Sequence, residues 1–520
     1  MSVPDSFIPA IQQGYSSKGN TITLGAAVFE SNVLSQAPVK IPLSTLNRHG
    51  LIAGATGTGK TKTLQVLAEG LSSQGVSVML MDIKGDLSGL AMPGEANDRI
   101  RERHTKLGIE WKPAAFPCEL MSLSGEKGLR LRATVSEFGP VLFSKVLGLN
   151  DTQSGVVSLI FKYADDRELP LLDLKDFKKV LQYCTNEGKD EVKKEYGAIS
   201  TASASTILRK IIEVEEQSAD LFFGELSFDV NDLLRMDDSG KGYMHIVRLS
   251  DLQDKPKLFS TFMLCLLAEI YQQFPEEGDM EQPKLVLFID EAHLIFKEAS
   301  KALLDQLESI IKLIRSKGVG IIFCTQSPVD IPAPVLGQLG LKIQHALRAF
   351  TANDRKAIKL VSENYPDTPF YKVASLITEL GIGEALVTAL TEKGTPSPLV
   401  HTCMCAPASR MDVLSQEEQD TLIAHSKLAA RYNKVVDRES AYEMLQGKLH
   451  SSSAPSGEKE SDKKTTDKEE GKEEGSVIGE ALDSNVGRQI ARTVAREVTR
   501  GLLGVLGLGS SSRSRKKSWF

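Results

Sequence analysis

Residues Gly54-Ala55-Thr56-Gly57-Thr58-Gly59-Lys60-Thr61 read G-x-x-x-x-G-K-T, the spacing of a Walker A phosphate loop. Leu51-Ile52-Ala53 before it is a short apolar run, expected to be the end of a buried strand. Leu64, Leu67, Ala68 and Leu71 after it recur with a helical period. Strand, glycine loop and helix in that order bring successive backbone N–H groups and a helix N-terminus around a polyphosphate. The stretch from Gly54 through Lys62 is therefore the expected nucleotide-binding set, with ATP and Mg²⁺ as the cofactors. Lys60 is expected to reach the β- and γ-phosphates, and the Thr61 hydroxyl to ligand the magnesium.

A second run, Lys284-Leu285-Val286-Leu287-Phe288-Ile289-Asp290-Glu291, is an apolar strand ending in two carboxylates. That is the form of a Walker B strand: Asp290 for the Mg²⁺ shell, Glu291 to polarise the attacking water as general base. A hydrolysing motor needs the second carboxylate. Gln326 ends the next apolar run, Val319 to Thr325, where an amide can sense a γ-phosphate or merely satisfy a turn. Arg315 ends the intervening helical stretch. That place suits an arginine reaching across a subunit interface to transition-state charge, and suits equally a cation on a helix dipole. Arg348 is a weaker second candidate, and His293 carries little functional weight. Asp82, at the end of Val76-Ser77-Val78-Met79-Leu80-Met81-Asp82, belongs on the rim where α/β proteins bind ligands.

The chain has 520 residues, more than one core usually takes, with 41% hydrophobic and 25% charged residues, ordinary for a globular protein. No apolar run is long enough to span a bilayer, and the N-terminus carries no secretory pattern. The six cysteines show neither disulfide-framework nor zinc spacing, so a reducing cytoplasm is the expected compartment. The net charge of −6 is uneven: Val486–Phe520 carries a net +7, leaving about −13 for the rest. An acidic body gives no compositional support for a nucleic-acid surface.

Strands alternating with helices predict a mostly parallel, three-layer α/β domain. Residues 1–48 are expected to be a short β-rich segment, and 49–90 with 241–405 the ATPase core. Within the core, further strands are expected at Ile343–Phe350 and Glu384–Leu390. Residues 91–240 are read as a mainly helical insertion, and 406–446 as C-terminal helices. Residues 447–476 are too polar to bury a core and are expected to be a disordered linker. In 477–520, Val486, Ile490, Val494, Val498 and Leu502 lie beside Arg488, Arg492, Arg496 and Arg500, an apolar stripe next to an arginine stripe on one helix. Such a helix suits a partner protein, an anionic membrane surface, or its own core.

These motifs, with Arg315-Ser316-Lys317-Gly318-Val319-Gly320 and Thr325-Gln326-Ser327-Pro328, resemble the HerA/FtsK superfamily of ring-forming ATPases. The chain is also similar to a bacterial group of HerA-like NTPases, through Met81-Asp82-Ile83-Lys84-Gly85-Asp86-Leu87-Ser88-Gly89, Gly383-Glu384-Ala385-Leu386-Val387 and Gly487-Arg488-Gln489-Ile490-Ala491-Arg492. The resemblance implies a RecA-like P-loop core, a hexameric homo-oligomer with ATP sites between subunits, and often DNA translocation. It implies Gln326 as the sensor glutamine and Arg315 as the trans-acting arginine. The chain departs from the archaeal helicase pattern in its short N-terminal β segment and its large insertion. FtsK-type membrane spans and a winged-helix DNA reader are not evident.

Other classes fit less well. Asp290-Glu291-Ala292-His293 suggests a superfamily-2 RNA helicase, but residues after 350 offer no second α/β array. A GTPase would carry an Asn-Lys-x-Asp string, and none occurs. An ATP-driven assembly or signalling switch acting on a protein partner remains the alternative to a helicase or translocase.

Overall fold

The apolar runs flanking the phosphate loop become the middle of a 12-stranded sheet. The computed structural model describes residues 3–452, apart from 124, 217–221, 254, 279, 298–300, 435, 437 and 438. In chain order the strands are β1 (Thr21–Phe29), β2 (Asn32–Pro42), β3 (Gly50–Ala53), β4 (Ser77–Asp82), β5 (Cys118–Ser122) and β6 (Leu129–Arg130). Then come β7 (Met244–Arg248), β8 (Leu285–Ile289), β9 (Val319–Thr325), β10 (Leu341–Gln344), β11 (Glu384–Thr388) and β12 (Val400–Met404). Their spatial order is β2-β1-β12-β11-β10-β3-β9-β8-β4-β7-β5-β6.

From β10 to β6 every neighbouring pair is parallel, and from β2 to β10 every pair is antiparallel. Every residue of β3, β9, β8 and β4 is buried, as a parallel sheet covered on both faces requires. The crossover β3 to β4 and the crossover β8 to β9 run in opposite directions across the sheet. Right-handed connections therefore put helix Lys60–Ser73 on one face and helix Lys301–Ile314 on the other. This is the mixed α/β, P-loop ATPase architecture that the alternating pattern predicts.

The N-terminal segment is part of the same sheet, since β1 pairs with both β2 and β12. The segment 91–240 supplies the helices Val135–Val146, Asp151–Asp166, Leu174–Thr185, Lys189–Glu195 and Thr201–Glu215. Phe143 packs there on Phe177 and Phe161, with ring centroids 4.8 and 5.9 Å away. The segment also supplies β5, which runs parallel to β7 inside the core sheet and which the apolar pattern does not reveal. Buried Glu119 interrupts that pattern, and Arg235 pairs with it at 3.3 Å.

The strand expected over Ile343–Phe350 ends at Gln344. Beyond it the backbone leaves the ladder, and Ala346 O accepts the Ala55 N–H at 2.8 Å, closing over the phosphate loop. Residues to Tyr442 make one compact unit. Helix Ala441–Ser452 takes in residues 447–452 of the stretch expected to be linker. The remainder of that stretch and the arginine-striped segment lie outside the described residues. Among the described residues no helix is long and apolar enough to cross a membrane.

Candidate functional site

The phosphate loop joins the end of β3 to helix Lys60–Ser73, and its glycines are needed for two different reasons. Gly54, Gly57 and Gly59 have φ of 155°, 78° and 115°, which L side chains adopt only with strain. Gly54 is also crowded: a Cβ there would sit 2.5 Å from the His345 Cβ. Gly57 faces open space, so only its backbone demands glycine. Lys60 donates to its own loop's carbonyls, Gly54 O at 2.7 Å and Ala55 O at 3.1 Å. Burial lowers the Lys60 pKa, and the like charge of Lys84 lowers it further against the pull of Glu291 and Asp290.

Beneath the loop, buried His345 bridges Thr63 Oγ1 (3.0 Å, through Nε2) and Glu384 O (2.8 Å, through Nδ1). The carbonyl can only accept, so Nδ1 carries the proton and Nε2 accepts from the threonine. Burial pushes this imidazole down to about 4. Behind it, Gly383 N–H donates to Thr58 O at 3.0 Å. Arg103 in turn donates to Gly383 O and Ile382 O, both at 3.0 Å, and to Met404 O at 3.1 Å. The phosphate loop thus rests on a hydrogen-bonded base built from β10, β11, β12 and helix Asp98–Leu107.

Asp290 and Glu291 follow β8 directly and are 5% and 7% exposed, unusually deep for carboxylates. Glu291 has a φ of 45°, a left-handed conformation rare for a residue with a side chain. Strain of this kind clusters at functional sites. Burial raises the Asp290 pKa and Lys84 opposes it. Lys84 Nζ lies 2.6 Å from Glu291 Oε1 and 3.6 Å from Asp290 Oδ2. His293 Nδ1 stands 3.3 Å from Glu291 Oε2, so this histidine does border the site. Asp82 caps the turn that carries Lys84, accepting the N–H groups of Gly85, Asp86 and Leu87 at 2.8, 3.1 and 3.1 Å.

Gln326 follows β9, exposed at its carboxyl end, one residue past Thr325, whose carbonyl accepts the Gly54 N–H at 3.3 Å. Asp330 shapes that corner by accepting from Thr325 Oγ1 at 2.6 Å and Ser327 N at 3.0 Å. The phosphate loop, the carboxylate pair and the glutamine therefore share the carboxyl ends of β3, β8 and β9, three consecutive strands of the sheet. Arg315 lies elsewhere. It starts the 3₁₀ turn Arg315–Lys317, exposed, at the opposite, N-terminal end of β9. Arg348 is exposed past β10 and donates to Thr378 O at 3.2 Å. Lys62 reaches sideways to Met411 O at 2.6 Å, and Thr61 is half-buried one position after Lys60.

The residues present fit a magnesium nucleotide. Three glycines hold the loop open, and the Glu291 Oε2 and Asp86 Oδ1 atoms are buried acceptors without a hydrogen bond. Thr61 and Asp290 would hold the metal, which takes its other ligands from phosphate and water. In such a site Lys60 would offer positive charge to the phosphates, and Glu291 would be an acceptor for the proton of a water. Lys84, His345 and Arg103 are the participants that motif reading passes over. Lys84 alone had a signal, two positions after a rim carboxylate.

The comparisons agree with this geometry. The family model of HerA-like helicase C-terminal domains matches residues 29–513. The chain is 23% identical over 358 residues to the DNA double-strand break repair helicase HerA of Sulfolobus acidocaldarius, covering 68% of this chain and 64% of that protein. It is 23% identical over 354 residues to a probable helicase of Methanocaldococcus jannaschii, covering 67% of this chain and 61% of that one. The chain thus spans less than two thirds of the length of these relatives. Among solved structures, the plasmid coupling protein TrwB with a non-hydrolysable ATP analogue superposes with a TM-score of 0.51 at 15% identity, covering 80% of this chain and 96% of TrwB. TrwB with ADP and Mg²⁺ gives 0.50 at 15% identity, covering 79% and 95%. Strand order, phosphate loop, carboxylate pair and family match coincide: the chain belongs to the family of HerA-like helicase C-terminal domains.

Proposed function

We propose that this protein binds Mg–ATP in the loop Gly54–Thr61, hydrolyses it with Glu291 as general base, and works as a ring whose subunits complete each other's sites. The observation that carries the reading is the convergence of Lys60, Asp290, Glu291 and Gln326 on the carboxyl ends of β3, β8 and β9, with Arg315 at the far end of β9. A residue so placed is out of reach of its own subunit's site, which supports service to a neighbour's. Thr61 and Asp290 hold Mg²⁺, Lys60 binds the β- and γ-phosphates, and Gln326 senses the γ-phosphate and places the water. The relatives named as DNA repair helicases support DNA as the substrate on which a hexameric ring moves, as helicase or translocase. The acidic body favours a second reading, an ATP-driven switch acting on a protein partner.

The deciding experiment measures ATPase rate on size-fractionated protein with DNA, with RNA and with an uncharged polymer. Stimulation by DNA in a hexamer fraction supports the motor. Turnover indifferent to every polymer removes it in favour of the switch, and no turnover in any fraction removes the ATPase reading.

A further inference from the structure

Both cations of the site, Lys60 and Lys84, rest on internal acceptors. Lys60 is held by the carbonyls of Gly54 and Ala55, and Lys84 by the carboxylates that the hydrolytic reading needs free. The Lys84 position is built rather than incidental. Its turn is fastened by three backbone N–H groups donating to buried Asp82. Its ammonium lies 2.6 Å from Glu291 Oε1, in contact with a base whose other oxygen makes no hydrogen bond.

We propose that Lys84 distinguishes a nucleoside triphosphate from a diphosphate: it pairs with Glu291, and the terminal phosphate of a triphosphate draws it away, releasing the base. The inference rests on the ATP-binding reading above and extends it to a residue outside the expected site. Sheet order gives the specificity. The phosphate loop sits on β3, whereas Glu291 follows β8, with β9 between them. Two strand spacings are roughly 10 Å. A cation resting on the β8 carboxylates is therefore placed for the phosphate furthest from the loop. Lys84 and Lys60 nevertheless share one field, since the charge of Lys84 depresses the pKa of Lys60. Burial disfavours the Lys84 charge, and Asp290 and Glu291 outweigh that, so it stays an ammonium ready to exchange one anion for another.

The test is equilibrium titration of the full chain with Mg–ADP and with Mg²⁺ and a non-hydrolysable ATP analogue. Lys84→Met is expected to weaken the analogue about 10-fold or more, the loss of a charged hydrogen bond, and to leave ADP within about 2-fold. Lys84→Arg should restore most of the difference. Glu291→Gln should tighten the analogue without moving ADP, because the paired ammonium is released. Removing one partner of a buried pair risks misfolding. The double variant Lys84→Met/Glu291→Gln, which removes both charges, is therefore titrated beside it and should show the same selective loss against Glu291→Gln alone. Equal weakening of both nucleotides, or of neither, overturns the role of Lys84 while leaving ATP binding intact. A wild-type chain that binds neither nucleotide overturns both proposals.

Discussion

At the scale of single residues, the site sets the charged side chains of Lys60, Lys84, Asp290 and Glu291 against a hydrogen-bonded foundation of His345, Gly383 and Arg103. Lys60→Ala removes the ammonium from the loop and should weaken ATP binding at least about 10-fold, the cost of lost charged hydrogen bonds. Unchanged affinity in a nucleotide titration would remove the phosphate-loop assignment. Glu291→Gln should retain ATP and lower turnover about 100-fold or more, the usual contribution of a general base. A steady-state rate at the wild-type level would exclude Glu291 from that role. His345 belongs to the foundation, and its pKa near 4 carries a sign. Between the ordinary histidine value of about 6.5 and 4, the unfolded chain takes up a proton that the folded one refuses. Stability from this residue is therefore fully present above pH 6.5 and is lost as pH falls toward 4, at about 1.4 kcal/mol per pH unit. Asp82, which burial pushes up to about 7, acts in the opposite sense, losing stability as pH rises from about 4 to 7. The informative quantity is thus a difference between variants. His345→Gln keeps a donor and an acceptor for Glu384 O and Thr63. Its urea-unfolding free energy should lack one proton's worth of slope between pH 6.5 and 4. A slope equal to wild type would mean that His345 titrates normally.

Among the elements, the least expected is the segment that follows β12 and lies across the phosphate-loop helix. Glu69, near the end of that helix, is buried and accepts Ala408 N at 2.8 Å, Ser409 N at 3.0 Å and the Ser409 hydroxyl at 2.5 Å. Gly89 lets the strap pass so closely that a Cβ would stand 2.0 Å from Asp412 O and 2.4 Å from Arg410 O. Those are backbone atoms, so the collision cannot be relieved by a side-chain rotation. Gly89→Ala should therefore cost about 3 kcal/mol, at the upper end of ordinary overpacking. Gly57→Ala, which meets no atom within 4 Å but has φ 78°, should cost about 1–2 kcal/mol. Thermal melts of the two variants should rank in that order, and equal melting temperatures would mean that the strap yields. The contrast shows where sequence reading ends. The loop and the strands β3, β4, β8 and β9 announce themselves, because fully buried parallel strands read as unbroken apolar runs. Strand β5 is hidden because Glu119 breaks its run and finds its partners, Ser426 and Arg235, only far along the chain. Glu69 looks like one more polar helix position until the strap that covers it is in place. Lys84 stands only two positions after Asp82, but it is the sheet order that brings its turn over Glu291.

For the whole molecule, the decisive fact is that the two arginine-to-glutamine landmarks sit at opposite ends of one strand. Arg315 precedes β9 and Gln326 follows it, and the 7 residues of that strand alone span about 23 Å at ~3.3 Å per residue. That is beyond the reach of an arginine side chain, so Arg315 does not serve the site of its own subunit. It acts on a neighbour or has no part in hydrolysis, and these alternatives give opposite results in mixed assemblies. Arg315→Ala alone should lower turnover about 1000-fold, at the modest end for a trans-acting arginine. An Arg315→Ala subunit still owns an intact Glu291, and a Glu291→Gln subunit still owns an intact Arg315. In a head-to-tail ring mixed in equal parts, about one interface in four joins the intact base of the first to the intact arginine of the second. Co-assembled variants should therefore recover up to about a quarter of the wild-type ATPase, far above the two parents measured apart. If Arg315 is only a cation at a helix end, Arg315→Ala should turn over normally. If its loss acts by unfolding its own subunit, mixing should give no more than the average of the parents. Dilution distinguishes a true ring effect from exchange of monomers, since recovery that depends on neighbours must fall as the assembled fraction falls.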